Sequence, residues 1–171
     1  MLFMNNNYIK IAEKAIYEYL KTGEKLKAET NDELKEIKKG VFVSLKKMGR
    51  LRGCIGTIHG RYSVEDEIIN NAIAAATEDP RFYPVSIEEL DDIEISVDIL
   101  EPEETVSSIS ELDPKIYGVI VEQGYKRGLL LPNLVGVDSA EDQIKIAKEK
   151  AGIKDGEYKI KKFKVTRYER G

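Results

Sequence analysis

The chain's only cysteine, Cys54, lies in the run Leu51-Arg52-Gly53-Cys54-Ile55-Gly56-Thr57, which also holds two glycines and places Arg52 beside Arg50. Two kinds of chemistry suit that set. A thiol near guanidinium groups is drawn toward the thiolate, the form that attacks an electrophile. Backbone amides bared by glycine, with arginines close by, suit an anion. Read as a strand, the side chains alternate, so Leu51, Gly53, Ile55 and Thr57 share one face while Arg50, Arg52, Cys54 and Gly56 share the other. The expectation is a thiol beside arginines, where a structural cysteine would more often lie on the apolar face.

Other chemistries have less support. One His and one Cys offer no zinc spacing. Cys54 and His59 are five residues apart, which in an extended strand means opposite faces and about 16 Å at ~3.3 Å per residue. A Cys-His pair would need the chain to fold back at Gly56 or Gly60. The run is not a phosphate loop of the GxxxxGK[ST] type, since the spacing and the lysine are absent. Anion binding in a general sense remains open, and so does close packing of Gly53 and Gly56 against a helix. Glu65-Asp66-Glu67 is explained as a helix start and Glu103-Glu104 as a solvated loop. Asp79-Pro80-Arg81-Phe82 reads as a rigid corner that either aims Arg81 into a cleft or ties down a helix end through an ion pair.

The elements that must position these residues can be read in order. Ile9, Ala12, Ile16 and Leu20 recur at helical spacing from Tyr8 to Lys21, with Gly23 as a stop and Met1 to Asn7 as a short tail. Residues 24–40 are rich in Lys and Glu and read as an exposed connection, with at most a short helix around Asp32 to Ile37. Val41, Val43 and Leu45 start a strand, and Lys47-Met48-Gly49-Arg50 turns it into the Cys54 strand, a hairpin. Ser63 and Asp66 start a helix carrying Val64, Ile68, Ala72, Ala75 and Ala76 on one face, and Pro80 forces its end. A short helical turn at Ile87 to Leu90 precedes a strand of Ile93, Ile95, Val97 and Ile99 with one wet face. Residues 101–114 read as a loop with one helical turn. Tyr117 to Glu122 and Arg127 to Leu131 form a second hairpin around Gly124. Ser139 starts a helix ended by Gly152, and Tyr158 to Tyr168 is a last strand whose phase change at Lys161 and Lys162 suggests a bulge. No internal repeat is evident.

This order of helix, hairpin, helix, strand, hairpin, helix, strand is an α+β pattern and disfavours a doubly wound nucleotide fold. Charged residues make up 34% of the 171, yet the net charge is only -4, so nothing draws the chain as a whole to nucleic acid or anionic membrane. Tyr125, Phe82 and the arginines could support nucleic acid locally, but net acidity argues against it. The single cysteine and the lack of any run near the ~18 to 20 apolar residues of a membrane span imply a reducing, cytoplasmic setting.

Five segments in order, Phe42 to Lys46, Leu51-Arg52-Gly53-Cys54-Ile55-Gly56-Thr57, Asp79-Pro80-Arg81-Phe82, Tyr117-Gly118-Val119 and Arg127-Gly128-Leu129-Leu130-Leu131-Pro132, resemble the AMMECR domain family, also called component A of the AmmeMemoRadiSam system. The resemblance covers nearly the whole chain, and its Leu51 to Gly56 hexapeptide is highly specific to the family. It implies a single AMMECR-type domain over 1–171, mainly antiparallel sheet with flanking helices, in two unequal subdomains with the hexapeptide near the groove between them. It brings no established reaction. It points to two partners from the same gene set, a Memo-like protein and a cobalamin-binding radical SAM protein. His59 lies outside the family's motif, so no role carries over to it.

Two functions follow as expectations. One is a noncatalytic binding or adaptor component of such a modification pathway, with a groove at the motif and Cys54 merely packed. The other is an enzyme in which Cys54 is nucleophile or covalent carrier, Arg52 and Arg81 hold a small anionic substrate, and the backbone of Gly53 to Thr57, Gly56 included, donates to an oxyanion. The absence of an identifiable general base favours the first. Neither the residues nor the resemblance names a cofactor.

Overall fold

Strands with one apolar face, joined by tight turns, build two antiparallel sheets, each covered on one face by a helix. The computed structural model describes residues 2–29 and 35–170. In chain order the elements are α1 (Leu2–Thr22), β1 (Val41–Lys47), β2 (Arg50–Thr57), α2 (Val64–Thr77), a 3-10 turn (Ile87–Asp92), β3 (Ile93–Leu100), β4 (Glu104–Val106), a 3-10 turn (Ile109–Glu111), β5 (Gly118–Gln123), β6 (Lys126–Leu130), α3 (Ala140–Ala151), β7 (Lys159–Phe163) and β8 (Val165–Glu169). The chain divides into two compact units, Met1–Leu100 with Thr166–Gly171, and Glu101–Val165.

The first unit carries the sheet of order β2-β1-β3-β8. Val41, Val43 and Leu45 of β1 and Ile95, Val97 and Ile99 of β3 meet Ile68, Ala72, Ala75 and Ala76 of α2 and Ile9, Ala12 and Ile16 of α1 in one core. Burial of each large aliphatic side chain there contributes about 1.5 to 3 kcal/mol. The hairpin turn places both Met48 and Gly49 at positive φ, 52° and 76°, as a twist-matched two-residue turn requires. Ser63 caps α2 by accepting from the Asp66 amide, while Glu65, Asp66 and Glu67 complement the helix dipole.

The second unit carries the sheet of order β4-β7-β5-β6, with α3 over β5 and β6. Its core joins Val119 and Val121, Leu130, Ile144, Ala147 and Ile153. Ser139 caps α3 and Gly152, at φ 73°, ends it in a left-handed turn.

The expected α+β class, both hairpins and both capped helices are present. Several expectations are corrected. The backbone of α1 begins at Leu2, so the tail is already helical. Residues 101–114 contain the strand β4, which is only three residues long and pairs across the chain with β7, a partner no local pattern announces. The phase change at Lys161 is a break and not a bulge: β7 ends at Phe163, Lys164 interrupts, and β8 joins the other sheet. The far side of β3 is exposed at Glu94 and half-buried at Ser96, while Asp98 is buried. Asp32 to Leu34 of the short helix expected near Ile37 lie outside the described residues, while the exposed positions flanking them agree with a connection.

The two units also share a plan. Each runs hairpin, helix, strand, with antiparallel orders β2-β1-β3 and β6-β5-β7 and the helix packed on the hairpin. Leu45 pairs with Gly53 where Val121 pairs with Gly128. A Cβ on Gly53 would run into the Ala75 carbonyl oxygen, and one on Gly128 into that of Ala147. Each glycine thus lets a helix lie directly on strand backbone. The repeat escapes a reading of residues because it lies in pairing and not in identity.

Candidate functional site

The ladder sorts the motif onto two faces. Ser44 of β1 pairs with Cys54 on one side and with Ser96 of β3 on the other, making a row of three small polar side chains across the sheet face away from α2. The Ser44 hydroxyl donates to Cys54 Sγ at 3.3 Å. The next row along is Gly56, Phe42 and Asp98, and the Phe42 ring occupies the place of a Gly56 side chain. Gly53 and Thr57 point the other way. Gly53 packs on Ala75, and Thr57 donates to the buried Glu67 carboxylate at 2.8 Å and accepts from Asn71. Glu67 also accepts from the Arg61 and Tyr62 amides, fastening the loop after β2.

Arg52 breaks the expected alternation. Leu45 pairs with Gly53 but Lys46 with Leu51, so Arg52 is the extra residue of a bulge. Leu51 therefore turns to the Cys54 face, and Arg52 turns from the thiol toward the segment before β3. Its Nε and Nη2 donate to Glu89 at 3.2 and 3.1 Å, and Nη1 and Nη2 to the Tyr83 and Pro84 carbonyls. Lys47 joins Glu89 at 3.0 Å. The Ser86 amide above all, with the Arg52 side chain second, lowers Glu89 from 4.5 to about 2. Arg52 is a clasp whose three nitrogens are all engaged, and the structure does not bring it to Cys54 as the strand parity predicted.

Arg81 stands at the corner that follows α2. Asp79 opens the loop after α2, and the turn closes with the Phe82 amide donating to the Asp79 carbonyl, Pro80 sitting where a fixed φ helps. The Asp79 carboxylate accepts from the Arg81 amide, from Arg81 Nε and Nη2 at 3.1 and 2.9 Å, and from the Cys54 amide at 3.0 Å. The Arg81 side-chain bonds chiefly, aided by the two amides, hold Asp79 well below the usual carboxylate range despite its burial. Its partner Arg81 is raised in turn. The side chain of Asp79 is 2% exposed and that of Arg81 57%, so the anion is covered and the cation stands out. One carboxylate thereby fixes both the Cys54 backbone and the Arg81 guanidinium.

Sequence reasoning missed the second such pair. Arg167 of β8 donates Nε and Nη2 to Asp98 at 2.7 and 2.9 Å, with side chains 42% and 1% exposed. Asp98 raises Arg167. The strand pattern showed Asp98 as a wet position, and nothing local links it to a residue 69 positions on. Ser44 was likewise visible only as an outward strand residue. His59 is not drawn back, because β2 stays paired through Gly56 to Thr57. Among the described residues no group of three or more His, Cys, Asp or Glu could hold a metal ion, and no helix is long and apolar enough to cross a membrane.

The family model that matches this geometry's chain is AMMECR1, over residues 9–171. A protein of Thermotoga maritima is 52% identical over 167 residues, covering 94% of this chain and 96% of its own. A protein of Clostridium acetobutylicum is also 52% identical, over 166 residues, but the match spans only 35% of its length. The crystal structure of an uncharacterized protein from Pyrococcus horikoshii superposes with a TM-score of 0.84 at 35% identity, covering 94% of this chain and 88% of that one.

Proposed function

The chain belongs to the AMMECR1 family, and from that premise we propose that it is a binding or adaptor component of an AmmeMemoRadiSam-type modification pathway, using the Cys54 face as its docking site. The observation that carries this reading is the use made of the motif's polar groups. Arg52 is a clasp, Thr57 and Gly53 face the helix, and the Cys54 amide is given to Asp79. What stays presented is Arg81 beside the Ser44 and Cys54 row, a surface suited to recognition. The side chain that hydrogen-bonds the thiol is the Ser44 hydroxyl, which is a weak base.

The test is co-expression of the full chain with the Memo-like and cobalamin-binding radical SAM proteins of one gene set, followed by capture on this chain. The reading expects at least one to co-purify, and Arg81→Gln to weaken the capture. No capture of either partner sinks it.

A second reading, an enzyme with Cys54 as nucleophile or covalent carrier on a small anionic substrate, is favoured by one observation: the thiol is half-buried and not sealed. It expects a stable covalent adduct at Cys54 after incubation with substrate-bearing cell extract, read by intact mass, and lost in Cys54→Ser. Labelling of Cys54 only after denaturation excludes it.

A further inference from the structure

Two arginines in the first unit stand out over sealed carboxylates, whereas in the Arg52 and Glu89 pair the side chains are 17% and 20% exposed. Arg81 and Arg167 each give Nε and Nη2 to the two oxygens of one carboxylate, a fork that fixes the guanidinium plane. Each carboxylate is almost fully buried and each cation about half exposed. Such a pair is neutral as a whole but oriented, with its positive end outward, and its rigidity lowers the entropy a ligand must overcome. Asp79 holds the Cys54 amide, and Asp98 lies one ladder row from Ser44 and Ser96 on the same face. At about 4.8 Å between strands, the Cys54, Ser44, Ser96 row is about 10 Å long, the scale of a small molecule. The competing anion is Glu169, two residues beyond Arg167.

We propose that Arg81 and Arg167 together hold an oxyanion, the carboxylate or phosphate group of a small molecule, over the Ser44 and Cys54 row. The assignment rests on the reading of this face as a binding surface and replaces Arg52, the arginine nearest in sequence, with one from the far end of the chain. Hydroxyl and thiol donors of Ser44 and Cys54 would then face the neutral part of the ligand.

Cys54 reports on the site. The full-length protein is alkylated with iodoacetate, which carries a carboxylate, and with the neutral iodoacetamide, and the ratio of the two rates is compared with that of the same chain unfolded in urea. The proposal expects the ratio to rise on folding by about fivefold, the size of an interaction with partly exposed charges. Arg81→Gln and Arg167→Gln should each bring it most of the way back, and Glu169→Gln should raise it. Inorganic phosphate and acetate, added separately at constant ionic strength, should slow the iodoacetamide reaction, and whichever protects at lower concentration identifies the head group. If Arg167→Gln fails to fold, as judged by circular dichroism, the double variant Asp98→Asn with Arg167→Gln removes the pair without stranding a buried charge and is read the same way. An equal ratio in folded and unfolded protein, or one indifferent to Arg167, overturns the proposal. Loss of selectivity with partner capture intact would refute the oxyanion site alone, whereas selectivity without capture would refute the adaptor reading alone.

Discussion

The two units build the same hairpin, helix and strand, yet they fill equivalent places with opposite chemistry. Where the first unit has Ser44 paired with Cys54, the second has Ile120 paired with Leu129, and where the first has Asp98 beside Phe42, the second has Phe163 beside Gly118. Ile120 and Leu129 are buried, while Ser44 and Cys54 are half-buried; the third positions, Lys161 and Ser96, are partly exposed in both units. The ion pairs differ too. In the second unit Arg127 and Lys161 are each shared between Glu103 and Glu122, a closed network with all four side chains 21% to 29% exposed. In the first, Asp79 and Asp98 are each sealed beneath an outward arginine. The scaffold needs only a glycine under a helix; the polar row and the outward arginines are additions that packing does not demand.

Transplanting the first unit's row into the second should cost most. Ile120→Ser with Leu129→Cys removes buried aliphatic volume and inserts hydroxyl and thiol without partners, an expected loss of at least about 4 kcal/mol in denaturant unfolding. Gly53→Ala and Gly128→Ala should each lose about 3 kcal/mol, because helix backbone must move. Equal shifts in the two units would confirm one scaffold, and a tolerated Gly53→Ala would break the comparison.

The ion pairs come next. Asp98→Ala should cost about 2 kcal/mol, a buried pair discounted for its half-exposed arginine, and Glu103→Ala less than about 1 kcal/mol as an exposed network member. Asp79 and Glu89 bind protons more weakly folded than unfolded, so their stabilisation is complete above the ordinary carboxylate values and drains away as pH falls through them, for Glu89 toward about 2. Asp79→Asn should therefore flatten the acid side of the stability profile below pH of about 4. A profile of unchanged slope would remove Asp79 as a charged anchor. The smallest effect is expected of Ser44→Ile with Cys54→Leu, which copies the second unit's row and should change stability by no more than about 1 kcal/mol.

Much of this was legible from residue order. The alternation of Val41, Val43 and Leu45, the caps at Ser63 and Ser139 and the Pro80 corner all carry their local physics in adjacent residues, and Asp79 with Arg81 falls within one turn. Arg52 was misplaced because strict alternation assumes an unbroken ladder, and a one-residue bulge inverts every side chain beyond it. Arg167 was invisible because its partner Asp98 is joined to it only through the sheet. The repeat was hidden for a related reason: Cys54 and Leu129, or Asp98 and Phe163, are equivalent in pairing and alike in nothing else.

The central claim is that the Cys54 and Ser44 pair is a presented surface where its counterpart, Leu129 and Ile120, is core. It is tested most directly by native-state labelling with iodoacetamide, comparing Cys54 in the unaltered chain with Leu129→Cys in a Cys54→Ser background. The account predicts that Cys54 labels without unfolding, at least about tenfold faster than position 129, whose reaction must wait for opening of its unit. Equal rates, or a Cys54 that reacts only after denaturation, would contradict it.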